Sequence, residues 1–302
     1  MKFYDGLPAV LAGTAISCAI VIMQPLAAMA LTGEEVNDIA REVTVLIRGN
    51  QRHGSGVIVA KDSNTYYVLT ANHVVSQQDD YKLVTHDKQA YQLDYSKVKR
   101  LPGVDLAVVE FTSDKDYKVA KLANSDTVTP GKSVFISGWP EPGNTGQVVR
   151  QFTYNRVSGF LDQPVEGYQM MYTNVTLPGM SGGPVVDAGG RVVAIHGMGD
   201  TADPQKLQME GLSPEAATSI ARQIKRGFNY AIPINTFLSL APQSGLYLGL
   251  QVENSSAPEL GAAYVASAEP DPRDQIDDIN SVLDTASRAL DTVDRVRTIL
   301  RF

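Results

Sequence analysis

Three side chains of this sequence could do covalent chemistry together: His73, Asp105 and Ser181. His73 follows the apolar run YYVLTAN at 66–72. Asp105 sits at the start of VDLAVVEF at 104–111, and Ser181 lies inside LPGMSGGPVVD at 177–187. A serine hydroxyl is a poor nucleophile near neutral pH. An imidazole within reach can take its proton during attack and return it to the leaving group. A carboxylate on the far ring nitrogen fixes the tautomer and stabilises the imidazolium. Each residue alone has a plainer reading. A His or Asp after a strand commonly caps or turns the chain, and a Gly/Ser/Pro cluster is commonly a turn.

The elements that must position these residues read as strands. From about 42 to 193 the text is a series of short β-branched and aromatic runs: VTVLI (43–47), GVIVA (56–60), YYVLT (66–70), LAVVEF (106–111), SVFISGW (133–139), VVRQFTY (148–154) and RVVAI (191–195). Turn pairs such as Gly49-Asn50, Pro102-Gly103 and Pro130-Gly131 separate them. Many short strands with close turns imply an all-β barrel or sandwich, and no strand–helix alternation supports a doubly wound sheet.

In this order the segments resemble the trypsin/chymotrypsin-like serine peptidases, in their bacterial secreted branch. Leu69-Thr70-Ala71-Asn72-His73 is similar to the family's LTAAH, with Asn72 in place of Ala. Val104-Asp105-Leu106-Ala107-Val108 resembles its DIAL, and Gly179-Met180-Ser181-Gly182-Gly183-Pro184 its GDSGGP. Gly54-Ser55-Gly56 and the run GFNYAIP at 227–233 resemble its early and last strands. The likeness runs from about 42 to 240. It implies two six-stranded antiparallel β-barrels and a peptide-bond hydrolase acting through an acyl-enzyme. His73, Asp105 and Ser181 would be the triad, and the amides of Gly179 and Ser181 the oxyanion donors. It calls for protein or peptide substrates, no cofactor and no metal. Met180 stands where zymogen-type members keep an Asp that pairs with a new N-terminal amine, so activation by that ion pair is not expected here.

The motif GMSGG also fits G-x-S-x-G, the nucleophile elbow of α/β-hydrolases. That arrangement needs Ser first, then the acid, then His, and a helix after the Ser. Here His73 and Asp105 precede Ser181, only His196 follows it, and GGPVVD leads into a strand. The elbow is therefore set aside. Two functional readings stand beside the peptidase: a non-catalytic binding module on the same fold, and a protease-chaperone. The latter type carries a peptide-binding PDZ module after the protease, whereas the text beyond Leu238 reads as linker and one helix.

By the resemblance, Val175 falls where trypsin keeps its acidic pocket floor, which argues against a Lys or Arg preference. Thr176, five residues before Ser181, and His196, fifteen after it, match the spacing of the glutamyl endopeptidases. In those a hydroxyl and an imidazole bind the substrate's Glu carboxylate. The plain alternative is a strand Thr and a satisfied core His.

The rest of the chain bounds partners and location. The 302 residues carry a net charge of −7 without a Lys/Arg cluster, so a nucleic-acid footprint is missing. Residues 1–30 read as a secretory signal: Lys2, an apolar run at 10–23, Pro25, then Ala28-Met29-Ala30 with cleavage expected after Ala30. The expected location is secreted or periplasmic, with membrane contact only if the signal stays uncleaved. Cys18, the sole cysteine, lies within it. The peptidase domain is expected over 31–250, with an insertion at 200–226 carrying a helix from Ser213. An acidic, Pro-containing linker is expected over 251–272. A helix over 273–302, with apolar positions at Ile276, Ile279, Leu283, Ala286, Leu290, Val293 and Leu300, would dock on its own domain or form a coiled coil with a second copy.

Overall fold

The computed structural model describes residues 30–143, 146–201, 205, 213–215, 218, 225–260, 264–265 and 269–284. The first sheet contains β1 (Thr44–Arg48), β2 (His53–Asp62), β3 (Thr65–Ala71), β4 (Lys82–Val84), β5 (Ala90–Gln92), β6 (Lys99–Arg100) and β7 (Leu106–Thr112). These pair antiparallel in the order β5-β4-β1-β2-β3-β7-β6. The long strands are apolar on both faces because both are covered. Ile58, Val68, Val109 and Phe111 point into one core, while their neighbours Val57, Leu69 and Val108 point into another shared with the second sheet.

The second sheet contains β8 (Leu122–Ala123), β9 (Ser133–Gly138), β11 (Gln151–Val165), β12 (Tyr168–Tyr172), β13 (Pro184–Asp187), β14 (Val192–Thr201), β15 (Lys225–Pro233) and β16 (Val252–Glu253). Strands β13-β9-β11-β12-β15-β14 run in order, and β13 pairs again with β14. Six strands thus close a barrel, and β8 joins the outside of β14 in parallel. The expected pair of barrels is present as one closed barrel and one seven-stranded half-barrel. All seven strand-like runs of the sequence coincide with strands, except that Val43, Trp139, Arg150 and Arg191 lie just outside them.

Three features depart from the sequence reading. Helix α1 (Gly33–Val43) was not anticipated. Thr32 accepts from the Glu35 amide and Glu35 returns a bond to the Thr32 amide, a capping box written in the text as Thr-Gly-Glu-Glu. The stretch 251–272, read as linker, is docked where described: β16 pairs with β8, and Glu253 accepts from Arg191. The helix expected from residue 273 starts later. Pro272–Asp274 is a 3-10 turn capped by Asp271, and β17 (Gln275–Ile276) pairs with β10 (Val148–Val149). Helical turns begin only at Ile279. Ile276 is buried beside Leu46, Trp139 and Val148, with Ile279 and Leu283 against them, so the start of the apolar stripe packs on its own domain. The rest of the stripe, most of the 200–226 insertion and the signal segment lie outside the described residues. A second helix, α2 (Ile234–Leu240), follows β15 directly and buries Ile234 and Phe237 in the core shared by the two sheets. Among the described residues no helix is long and apolar enough to cross a membrane.

Candidate active site

Strand register brings His73 to Asp105. Ala71 at the end of β3 pairs with Leu106 at the start of β7, so the residues just outside the ladder meet. His73 lies in the 3-10 turn Asn72–Val75 that follows β3. Its Nδ1 lies 2.6 Å from Asp105 Oδ2, and its backbone N–H donates to Oδ1 at 2.8 Å. A carboxylate can only accept, so this fixes the proton of the neutral ring on Nδ1 and leaves Nε2 as the base. A third donor comes from the other barrel: Tyr168 Oη gives its proton to Asp105 Oδ2 at 2.6 Å. Burial pushes the Asp105 carboxyl up. The His73 hydrogen bond and charge, the Tyr168 hydroxyl and the His73 amide outweigh it and hold Asp105 below the ordinary carboxylate range. The carboxylate is nearly buried, while the imidazole is 44% exposed and open to a substrate.

The loop carrying Ser181 is fixed by its carbonyls. Leu177-Pro178-Gly179-Met180 is a tight turn, closed by the Met180 amide on the Leu177 carbonyl. Gly179 has φ +94°, the left-handed value that the third position of a type II turn demands. The Pro178 carbonyl accepts from the Glu141 amide at 2.8 Å, and the Met180 carbonyl accepts from Gly183 at 3.0 Å. In a trans peptide the N–H points opposite to the C=O. The amides of Gly179 and Ser181 therefore turn away from those partners. Among the described residues neither donates to a protein acceptor. Ser55 clamps the loop from beneath, its amide on the Ser181 carbonyl and its hydroxyl on the Gly179 carbonyl. Met180 is fully buried in the second barrel's core, where an apolar anchor holds the loop without an ion pair.

Ser181 Oγ itself donates to the Gly197 carbonyl at 3.1 Å. Among the described residues no hydrogen bond joins it to His73. Gly182, next to Ser181, stands against Thr70 and the Ala71 amide, so the serine loop lies beside the end of β3 that carries His73, while the serine hydroxyl itself points to Gly197.

The three predicted pocket residues separate into two kinds. Thr176 and His196 are buried, whereas Val175 is 70% exposed and does not form a floor. Thr176 Oγ1 donates to Asn229 Oδ1 at 2.5 Å. His196 Nδ1 lies 2.5 Å from Tyr172 Oη, and Tyr172 and Asn229 are cross-strand partners. Thr176, Asn229, Tyr172 and His196 thus form one buried polar wall beside Ser181. Burial keeps the Tyr172 hydroxyl protonated at any working pH. Sequence reasoning missed Ser55, Tyr168, Tyr172 and Asn229. Ser55 and Asn229 stood in quoted motifs, Gly54-Ser55-Gly56 and GFNYAIP, and there without a role.

Comparison with known proteins agrees with this geometry. Residues 54–195 match the family model described as trypsin-like peptidase domain. The serine protease Do-like HtrA of Bacillus subtilis is 28% identical over 150 residues, which are 48% of this chain and 33% of that protein. A probable periplasmic serine endoprotease, DegP-like, of a Marinomonas species is 31% identical over 150 residues, 47% of this chain and 29% of that protein. The chain therefore spans about a third of the length of the curated relatives it matches. Two solved chains of the HtrA-type protease AlgW with a tripeptide superpose with TM-scores of 0.55 and 0.54 at 21% and 20% identity. They cover 73% and 70% of this chain and 65% and 63% of theirs, a likeness of fold.

Proposed function

We propose that this protein is a serine endopeptidase. The observation that carries the reading is the joint placement of a carboxylate-held imidazole and a serine loop whose two amides face away from tied-back carbonyls. In this reading Ser181 Oγ turns from Gly197 to His73, loses its proton to Nε2 and attacks the substrate carbonyl carbon. Rotamer changes of this kind are fast beside catalysis. The amides of Gly179 and Ser181 receive the developing oxyanion, each donor lowering the barrier by about 3 kcal/mol. His73 then protonates the leaving amine, and water hydrolyses the acyl-enzyme by the same route reversed. Asp105 keeps the imidazole in the required tautomer throughout.

A fluorophosphonate probe separates this from a binding module on the same fold. Labelling should be present in the wild type and lost in Ser181→Ala; a wild type that resists the probe overturns the proposal. Asp105→Asn should lower kcat by roughly four orders of magnitude through the wrong tautomer.

We further propose a preference for Glu at P1. The wall of Thr176, His196 and Tyr172 supports it: the tautomer in which Tyr172 donates to Nδ1 puts the ring N–H of His196 on Nε2 as a donor. Peptides differing only at P1 should give the highest kcat/KM for Glu over Ala, Phe and Arg, and His196→Leu should cost Glu substrates far more than Ala substrates. Highest turnover of Ala or Phe peptides overturns it. Retained fluorophosphonate labelling shows that His196→Leu still folds.

The working compartment is proposed as periplasm or cell exterior, with residues 1–30 removed as a signal. In support, the Leu31 amide donates to the Ala188 carbonyl and Thr32 caps α1, so the chain is held to the domain from Leu31 on. N-terminal sequencing of the exported protein tests the cleavage site.

A further inference from the structure

We infer that Tyr168 is a positioning residue for the His73–Asp105 pair, a strut from the second barrel that aims the Asp105 carboxylate at the imidazole. The inference rests on the triad reading above. Tyr168 opens β12 just after the two-residue turn Glu166-Gly167, whose φ values are both positive, at +50° and +89°. Such a turn matches the twist of the hairpin it closes. The hairpin tip reaches across to the first barrel and holds Asp105 twice. The Glu166 carbonyl accepts from the Asp105 amide at 2.9 Å, and Tyr168 Oη donates to Oδ2 at 2.6 Å.

The carboxylate then has three donors and no freedom. Oδ1 takes the His73 amide, and Oδ2 takes both the His73 ring and the Tyr168 hydroxyl. With one lone pair of Oδ2 given to Tyr168, the other is left in the direction of Nδ1. Tyr168 is only 2% exposed, so its hydroxyl needs a protein acceptor. The titratable groups facing Asp105 are His73 from the turn after β3 and Tyr168 from β12; Tyr172 and Glu166 act on Tyr168 in turn.

A second contact ties the same ring to the nucleophile. A Cβ added at Gly197 would stand 2.0 Å from Tyr168 Oη and 2.8 Å from its Cζ. Position 197 is thus held to glycine by the tyrosine, and it is the Gly197 carbonyl that receives Ser181 Oγ. One side chain therefore backs the acid directly and the resting serine through its neighbour.

Loss of the hydroxyl has a defined sign. Tyr168 draws charge from Oδ2; without it the whole carboxylate charge faces the imidazolium and stabilises it. A higher pH is then needed to free the base. The test is the rate of inactivation by a fluorophosphonate from pH 5 to 9 in the full chain. Tyr168→Phe should slow the plateau about tenfold and move the acid limb up by about half a unit to one unit. Gly197→Ala, which keeps the tyrosine but pushes its hydroxyl aside, should shift the limb in the same direction. It also guards against a misfolded Tyr168→Phe, with thermal melts on both. An unchanged midpoint in folded Tyr168→Phe overturns the inference, whether or not the plateau falls, because general support of the fold would not move the limb. A wild type that the probe does not label overturns the triad reading beneath it, a result distinct from the first.

Discussion

At the scale of single residues the site depends on hydrogen bonds to backbone groups. Ser55 makes four contacts: its amide holds Ser181, its hydroxyl bridges the Trp139 amide and the Gly179 carbonyl, and its carbonyl accepts from Thr70. Removing the hydroxyl leaves a buried N–H and C=O unpaired. Ser55→Ala should cost about 1–3 kcal/mol of stability. It also frees the 179–180 peptide, so kcat should fall while KM changes little, as read from melts and steady-state rates. The candidates His73, Asp105 and Ser181 could be picked out because each sits in a distinctive local word beside a strand. Tyr168 was not, since it lies 63 residues from Asp105 and meets it only through a hairpin crossing between barrels. A tyrosine beginning a strand carries no local mark of that contact.

At the scale of elements, the β1–β2 hairpin forms the floor of the oxyanion loop. His53 at its return stands between two partners that define its proton. The Trp139 carbonyl can only accept, so Nε2 carries the hydrogen and donates at 2.8 Å; the Arg48 guanidinium can only donate, and does so to Nδ1 at 2.7 Å. Burial, with Arg48 adding to it, pushes His53 down to about 4 despite the opposing pull of the Trp139 carbonyl. An unfolded histidine takes its proton near pH 6.5. Between those values the unfolded chain binds the extra proton, so stability falls as pH drops from 6.5 toward 4, by on the order of 3 kcal/mol for this group. Urea midpoints at pH 7, 5.5 and 4.5 should fall in the wild type and run flatter in His53→Gln. The core strands β1, β2, β3, β7 and β9 were readable from the text because they are buried on both faces over most of their length. Helix α1 was equally readable from its capping box but short and easily passed over, and the late start of the tail helix was not. Where a helix is expected from residue 273, Asp271 caps a 3-10 turn at Pro272–Asp274, and Ile276 serves as a strand partner of Val148 instead.

At the scale of the whole molecule one carboxylate pins the tail. Asp274 accepts two hydrogen bonds from Arg41 on α1 and two from Arg150 beside β11, and the Arg150 side chain is wholly buried. Ser137 Oγ and Asn37 Oδ1 accept one further hydrogen bond each from Arg150. Burial raises the Asp274 carboxyl, but the two guanidiniums more than reverse it and hold it below its ordinary value. Asp274→Ala strands the buried Arg150 cation and takes one of three carboxylates from Arg41, which should cost about 3–5 kcal/mol and lower Tm on the order of 10 °C. Calorimetry reads the first effect. Limited proteolysis should show the 269–284 segment released.

The unequal closure of the two sheets has a kinetic consequence. A ring of six strands has no end strand from which to fray, whereas the half-barrel has two, β5 and β6. Amide hydrogen exchange should therefore be slowest in β9, β13 and β14 and faster by local opening in β4 and β5. The base and its carboxylate sit on the sheet that opens, and the nucleophile on the one that does not. In rising denaturant, turnover should vanish before amide protection in β9, β13 and β14 is lost, and return as fast as the open sheet reseats.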